Sequence, residues 1–369
     1  MRGPGGSSVK ITLLRDGIEK ELTIKRGVIP VPSVDVAYII APQTGFIRIN
    51  KFAETTYPEF MRALQKLQKD GMQKLILDLR GNGGGYLDQA VDIADEFLDS
   101  DKLIVYTKGE HAERTEYHCR NDGVFEKGKL VVLVDETTAS ASEILSGALQ
   151  DWDRATIIGR RTFGKGLVQQ QFGLSDGSAV RLTIARYYTP VGRNIQKPYN
   201  KGKEEYEEEL VNRFHDGEVV VGDTSKPAGP AFKTPSGHLV YGGGGITPDI
   251  FVPFDTSSQP KSIVEMYFKG TVNNFVYDYY RSHKDLFKNA ATPVDFSKQF
   301  SAGEKDWLLL KAFAAKDSID ISNVPEAAKD EMLNKLAAYL AREKWSTEGF
   351  FEISNQNDLM VKKALDVIK

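Results

Sequence analysis

KLVVLVDETTASASEILSGALQDW, residues 129–152, sets the architecture of this chain. After Lys129 the run LVVLV is continuously apolar, the pattern of a strand covered on both faces. Beyond Ser140 the apolar residues fall at Ile144, Leu145, Ala148, Leu149 and Trp152, the spacing of one inner helix face. A buried strand therefore feeds a helix whose N-terminus lies near Ser140. The same grammar occurs upstream in KLILDLRGNGGGYLDQA, residues 74–90, where a strand runs into Arg80–Gly85 and a helix starts near Leu87. Further strands are expected at 37–41, 45–50, 103–107, 155–158 and 179–187, and helices at 56–69, 87–98 and 140–152. Such alternation predicts an α/β domain with helices packed on a mixed sheet.

The flanks read differently. Residues 8–15 and 19–25 are alternating segments around Asp16-Gly17, a hairpin signal. An isolated hairpin is marginal in water, so this one needs a body to pack on. Residues 200–238, charge-dense and then rich in turn formers, read as an insertion over the surface. From 260 onward the periodicity is helical, with helices expected at 327–343 and 356–368.

Composition narrows the function classes. The 369 residues are 41% hydrophobic and 27% charged with net charge −3, as in soluble globular proteins of two or three domains. That charge offers no case for nucleic acid or an anionic membrane. No run of 18 apolar residues occurs, so no membrane span is expected, and no leader-like segment opens the chain. One cysteine, Cys119, excludes an internal disulfide framework. The five histidines (His111, His118, His215, His238, His283) include no ligand-spaced pair, so neither metal nor other cofactor is expected.

Ser140 sits where a strand meets a helix N-terminus, a place that favours negative charge and leaves backbone N–H groups unpaired. The Ala141 amide is the natural oxyanion donor there. A serine hydroxyl needs a base, and no histidine lies in or beside this block. Lys165, in FGKG, is the alternative. It must be neutral to act, and burial beside Phe163, Leu167 and Val168 favours that form. Gln169, four residues on, is placed to orient the amine. A bland reading competes with each point. Ser140 and Glu143 also spell an S-x-x-E capping box. Ser142 is a rival nucleophile, and a lysine between glycines is often a solvated turn residue. The Gly83–Gly85 run exposes N–H groups suited to an oxyanion but lacks a phosphate-loop pattern. TIARYYTPVGRNIQ, residues 183–196, offers a strand edge and a turn beside the same region.

Taken together, TASASEI, TFGKGLVQ with Lys165 25 residues after Ser140, LDLRGNGGG, TPVGRNIQ and GITPDIFV resemble, in order, the landmarks of the C-terminal processing (tail-specific) serine peptidases. The resemblance covers roughly residues 1–255. It implies a crotonase/ClpP-like ββα superhelix as catalytic core. It implies Ser140 as nucleophile, Lys165 as base, Gln169 positioning the lysine and Glu143 supporting the site. Its oxyanion hole would use Ala141 with Gly84 or Gly85. The opening hairpin resembles the last one of a PDZ domain. The expected domains are thus a PDZ remnant at 1–27, a catalytic domain at 28–258 with the 200–238 insertion, and a helical region at 259–369. The resemblance further implies polypeptide substrates, cut at or near their C-terminal tails, a periplasmic or cell-envelope location in a bacterium, and possible homo-oligomers. Two alternatives stay open: a crotonase-like acyl-CoA enzyme, which gives Lys165 no role, and a catalytically silent binding protein of the same fold.

Overall fold

The computed structural model describes residues 1–199, 202–222, 229–254 and 260–369. They form two compact units, Met1–Pro32 and Ser33–Lys369. The first is the expected hairpin: β1 (Ser8–Arg15) pairs antiparallel with β2 (Ile18–Lys25). Asp16 and Gly17 both take positive φ, 52° and 77°, giving the two-residue turn whose twist suits antiparallel strands.

The second unit begins with β3 (Val34–Ala41), β4 (Thr44–Ile49), α1 (Thr56–Lys69), β5 (Lys74–Asp78) and α2 (Leu87–Asp95). It continues with β6 (Leu103–Lys108), β7 (Thr115–His118), β8 (Leu130–Val134), α3 (Ala141–Asp151), β9 (Thr156–Gly159), β10 (Leu167–Gly173) and β11 (Ala179–Tyr188). Next come α4 (Lys203–His215), α5 (Glu218–Val221), β12 (Ala231–Lys233), β13 (Leu239–Tyr241) and β14 (Ile250–Phe251). The C-terminal helices are α6 (Lys261–Phe268), α7 (Thr271–Ser282), α8 (Pro293–Gln299), α9 (Glu304–Ala314), α10 (Glu326–Ser354) and α11 (Leu359–Val367). No described helix is long and apolar enough to cross a membrane.

Six strands form the main sheet in the order β14-β9-β8-β5-β4-β3. All neighbours are parallel except β3, which runs antiparallel to β4 at the edge. Alternate side chains face opposite ways. Ile47, Leu75, Leu77, Val132, Val134 and Ile157 pack against α1, α2 and α3. Phe46, Ile76, Val131, Leu133 and Ile158 pack instead against Met360, Val361, Ala364 and Ile368 of the C-terminal helix. A parallel sheet needs both faces covered, and α11 supplies the second cover. Helices α6–α10 build a separate core around residues such as Phe275, Phe296, Trp307 and Leu336. The second sheet, β10-β11-β6-β7, is antiparallel.

The mixed α/β architecture is thus the expected one, with differences that include short strands at β7, β12 and β13. Residues 167–173 form a strand that the polar run GLVQQQF does not announce. The 200–238 segment, expected as a surface insertion, contains α4 and α5, which bury Val219 and Arg213; residues 200–201 and 223–228 of it lie outside the described residues, as does the expected 258/259 boundary. The helix expected at 327–343 continues to Ser354 across a break at Trp345 and Ser346, the latter at φ 56°.

One ion cluster joins the last helix to the sheet. Asp358 caps α11 by accepting from Val361 N (3.0 Å) and pairs with Arg80 (2.7 Å). Arg80 and Arg48 also hold Asp78 at 2.8 and 2.6 Å. Burial raises the Asp78 pKa, but the two guanidinium groups overcome it and hold the carboxyl down at about 2. Asp358→Ala removes a cap and a mostly buried charged hydrogen bond together, so we expect a loss of about 2 kcal/mol in urea unfolding. Asp358→Asn, which keeps the cap, should lose about half of that.

Candidate active site

The carboxyl ends of β4, β5, β8 and β9 emerge side by side, because these strands are parallel neighbours. Ligand sites of open α/β sheets form at such edges. After β8, Asp135 Oδ1 accepts from the N–H groups of Thr137 and Thr138 (3.0 Å each) and Gly81 (3.1 Å). Thr138 Oγ1 donates to Leu79 O at 3.0 Å. Polar residues at this turn thereby fasten it to the loop leaving β5.

Ser140 follows at φ 57°, ψ −116°. An ordinary N-cap residue lies in the extended region. A serine here is strained by about 1–3 kcal/mol, and strain of this kind clusters at active sites. This backbone distinguishes Ser140 from a plain capping-box serine. The rival Ser142 is fully buried, and its hydroxyl donates to Asn82 O at 3.0 Å.

The glycine loop lies directly against this turn. Asn82 is fully buried; its Nδ2 donates to Ile49 O (3.0 Å) and its own O accepts from Ala139 N (3.0 Å). Gly84 sits at φ 95°, and a Cβ there would lie 2.7 Å from Ser140 Cβ and 2.9 Å from Ala141 N. Gly85, at φ 147°, passes so close to Phe52 that a Cβ would meet Phe52 O at 1.9 Å. These positions therefore require glycine. The Gly84 N–H is already committed to Asn82 Oδ1 (2.9 Å). The N–H groups of Ala141 and Gly85 have no hydrogen-bond partner among the described residues.

Glu143, on the first turn of α3, is fully buried. Its Oε2 accepts from the backbone N–H of both Ser140 (2.9 Å) and Lys165 (2.8 Å). Its Oε1 accepts from Gly164 N (2.7 Å) and the Thr162 hydroxyl (2.5 Å). No cation pairs with it among the described residues. Burial pushes its carboxyl above the usual range, while the hydrogen bonds from Thr162, Lys165, Gly164 and Ser140 pull the other way.

The Lys165 loop leaves β9 and is pinned throughout. Phe163 N donates to Thr138 O (2.9 Å), Lys197 N to Gly164 O (2.9 Å), and Gly166 N to Gln196 Oε1 (2.9 Å). Gly164 and Gly166 leave room for Lys197 and Gln196: added Cβ atoms would lie 3.0 Å from Lys197 Cβ and 2.8 Å from Gln196 N. The half-buried Lys165 and the exposed Gln169 line one cleft of about 1070 Å³, with Phe163, Leu167, Tyr188, Tyr206 and Phe232 in its walls. Among the described residues neither the Lys165 ammonium nor the Gln169 amide makes a hydrogen bond. Ser140 and Lys165 are brought together through their backbones on one Glu143 oxygen, not by contact of their side chains.

The TPVGRNIQ turn packs beneath α3. Arg193 is wholly buried and bonds to the Asp151 carboxylate and to Gln150 Oε1 (3.1 Å). Burial lowers the Arg193 pKa and raises that of Asp151. Sequence reading did not single out Asn82, Thr162, Lys197 or Arg213. Only Asn82 carried a signal, its place inside GNGGG. The lone Cys119 is buried, and that burial raises its pKa to about 12, so it is an inert thiol.

Two variants test this geometry. Ser140→Gly relieves the positive-φ strain, partly offset by glycine's greater unfolded-state entropy, and should stabilise the protein by about 1 kcal/mol in urea unfolding. Glu143→Gln cannot satisfy all four donors, since its NH₂ must face a backbone N–H. It should lose about 2 kcal/mol and speed amide exchange at Gly164 and Lys165.

Comparison with known proteins places these elements. Residues 43–203 match the profile of peptidase family S41, and residues 263–346 match a family of unknown function. Over 198 residues the chain is 41% identical to a "Probable CtpA-like serine protease" of Staphylococcus haemolyticus, covering 53% of this chain and 39% of that protein. Over 202 residues it is 40% identical to a "Carboxyl-terminal-processing protease" of Synechocystis, covering 53% and 47%. A solved photosystem II D1 C-terminal processing protease is similar at 28% identity and TM-score 0.44, covering 68% of this chain and 57% of that one. The chain therefore spans less than half the length of these two curated relatives. The segment from 43 to 203, which carries the glycine loop, the strained Ser140 turn and the Lys165 loop, is the part of the chain that matches the profile of peptidase family S41.

Proposed function

We propose that this chain is a serine endopeptidase in which Ser140 is the nucleophile and Lys165 the general base. The observation that carries the reading is the buried Glu143 carboxylate, which holds the N–H of the strained Ser140 and the N–H of Lys165 on one oxygen. With both backbones held on one carboxylate, rotation of the lysine side chain is the movement by which its amine would approach the serine hydroxyl. Apo dyads are commonly apart in this way.

In the proposed reaction neutral Lys165 takes the Ser140 proton as Oγ attacks the scissile carbonyl carbon. The developing oxyanion accepts from the N–H groups of Ala141 and Gly85, which have no other partner among the described residues. The lysine ammonium then protonates the leaving amine. Water, deprotonated by the same lysine, releases the acyl group and restores Ser140. Gln169, which lines the same cleft as Lys165, orients the amine once it turns inward.

Polypeptides are the substrate class. Cleavage at or near C-terminal tails is supported by the names of the relatives. The finer architectural reading follows the same line: residues 28–258 as a crotonase/ClpP-like catalytic core, 1–27 as the end of a PDZ domain, 259–369 as a helical region, and a bacterial envelope as location.

Ser140→Ala and Lys165→Ala should each abolish cleavage of an unfolded protein while leaving the melting transition in place. Lys165→Arg should fail too, because a guanidinium cannot serve as a neutral base. A fluorophosphonate should label Ser140, mapped by mass spectrometry. Labelling of Ser142 instead, or no labelling, would sink the assignment.

A further inference from the structure

Helix α4 is written in charged residues, KEEYEEELVNRFH, and reads as a solvated face. Its last turn does something else. The Arg213 side chain is only 3% exposed. Its Nη1 donates to Thr162 O (2.8 Å) and Arg161 O (3.1 Å), and its Nη2 to Phe163 O (3.4 Å). Three consecutive carbonyls leading into Gly164 and Lys165 thus end on one guanidinium. Its Nε donates to Glu209 Oε1 at 2.7 Å, one turn earlier on α4. Glu209 in turn receives Lys197 Nζ on Oε2 (3.1 Å) and Arg161 Nη2 on Oε1 (3.3 Å). Lys197 is buried between the rings of Phe163 and Tyr206, 4.0 and 4.2 Å from their centres, and donates to Tyr206 O (2.9 Å).

We propose that Arg213 is a positioning residue for Lys165, and that α4 is therefore a working part of the site rather than an appended surface helix. The inference rests on the reading of Lys165 as the base. Its physical content is a division of labour. Glu143 collects the N–H groups of the loop; Arg213 collects the carbonyls of the residues just before it. A planar fork with five donors reaches three acceptors at once, which a lysine at this position cannot do. Loss of the fork frees Arg161–Phe163 to turn, and the Lys165 backbone with them. A displacement of about 1 Å in a reacting group costs on the order of 10²-fold in rate.

The test compares Arg213→Ala and Arg213→Lys with wild type by three readouts. These are fluorophosphonate labelling rate at Ser140, kcat and KM on an unfolded protein substrate, and hydrogen exchange of the 161–166 amides. We expect labelling and kcat to fall on the order of ten- to a hundred-fold in both variants with KM little changed, and exchange at Gly164 and Lys165 to rise. Millimolar guanidinium should restore part of the rate to Arg213→Ala. Arg213→Lys keeps the stem and the Glu209 ion pair, so it guards against simple unfolding. Wild-type labelling rate and unchanged exchange in Arg213→Lys would overturn the proposal, as would equal loss of kcat and melting temperature with no guanidinium rescue. If wild type itself fails to label, the Ser140 reading falls first. The exchange readout then judges the clamp alone, and unchanged exchange would overturn it.

Discussion

The buried Glu143 carboxylate is the constraint on which the site depends. A lone carboxylate without a cation is costly in a protein interior. Here it is tolerated because four donors converge on it and because it lies on the first turn of α3, at the positive end of the helix dipole. Those donors come from two places separated by some twenty residues: the helix start at Ser140, and the loop from Thr162 to Lys165. Neither place has a conformation of its own to offer. Ser140 is strained, and the loop is flanked by glycines. Glu143 satisfies both sets of N–H groups at once, so each side's geometry becomes the condition for the other's.

The sheet sets this up before any side chain of the site is placed. Parallel strands β4, β5, β8 and β9 deliver their following loops to one edge. Phe52, the glycine loop, the Ser140 turn and the Lys165 loop are thus neighbours by topology. Side chains then refine the neighbourhood: Asp135 and Thr138 fasten one loop to the next, and Asn82 joins Ile49 to Ala139. The far C-terminus takes part as well. α11 covers the second face of the sheet, and its capping Asp358 reaches Arg80, just ahead of the glycine loop. The residues closing the chain are thereby tied to the residues opening the site.

What was legible in the sequence follows from range. LVVLV, KLILD and the helix after Ser140 are local patterns of burial, and they appear where periodicity puts them. The glycine loop was legible because consecutive glycines have few other uses. The capping-box half of Glu143, three residues from Ser140, was also readable. Its bonds to Thr162, Gly164 and Lys165 were not, because nothing in a helix-start motif says which distant loop will dock on it. Arg213 was hidden for the opposite reason. In a run of charges each residue looks solvated, and only the folded chain shows that this one points inward at three carbonyls. β10 was missed because LVQQQFG buries almost nothing; pairing with β11, rather than an apolar face, makes it a strand.

The strain at Ser140 gives the glycine loop its second meaning. Such a backbone persists only where the surroundings leave it no alternative. Glu143 pulls the Ser140 N–H toward the helix, and Asn82 O holds the preceding Ala139 N–H at 3.0 Å. That brings the Ser140 Cβ against Gly84, where any Cβ would stand 2.7 Å away. Glycine at 84 is therefore a steric requirement of the serine's conformation. With its own N–H spent on Asn82, Gly84 makes room for Ser140, while the N–H of the adjoining Gly85 has no partner among the described residues. The two glycines of one short loop thus differ in what their N–H groups do, and the difference is set by a single asparagine.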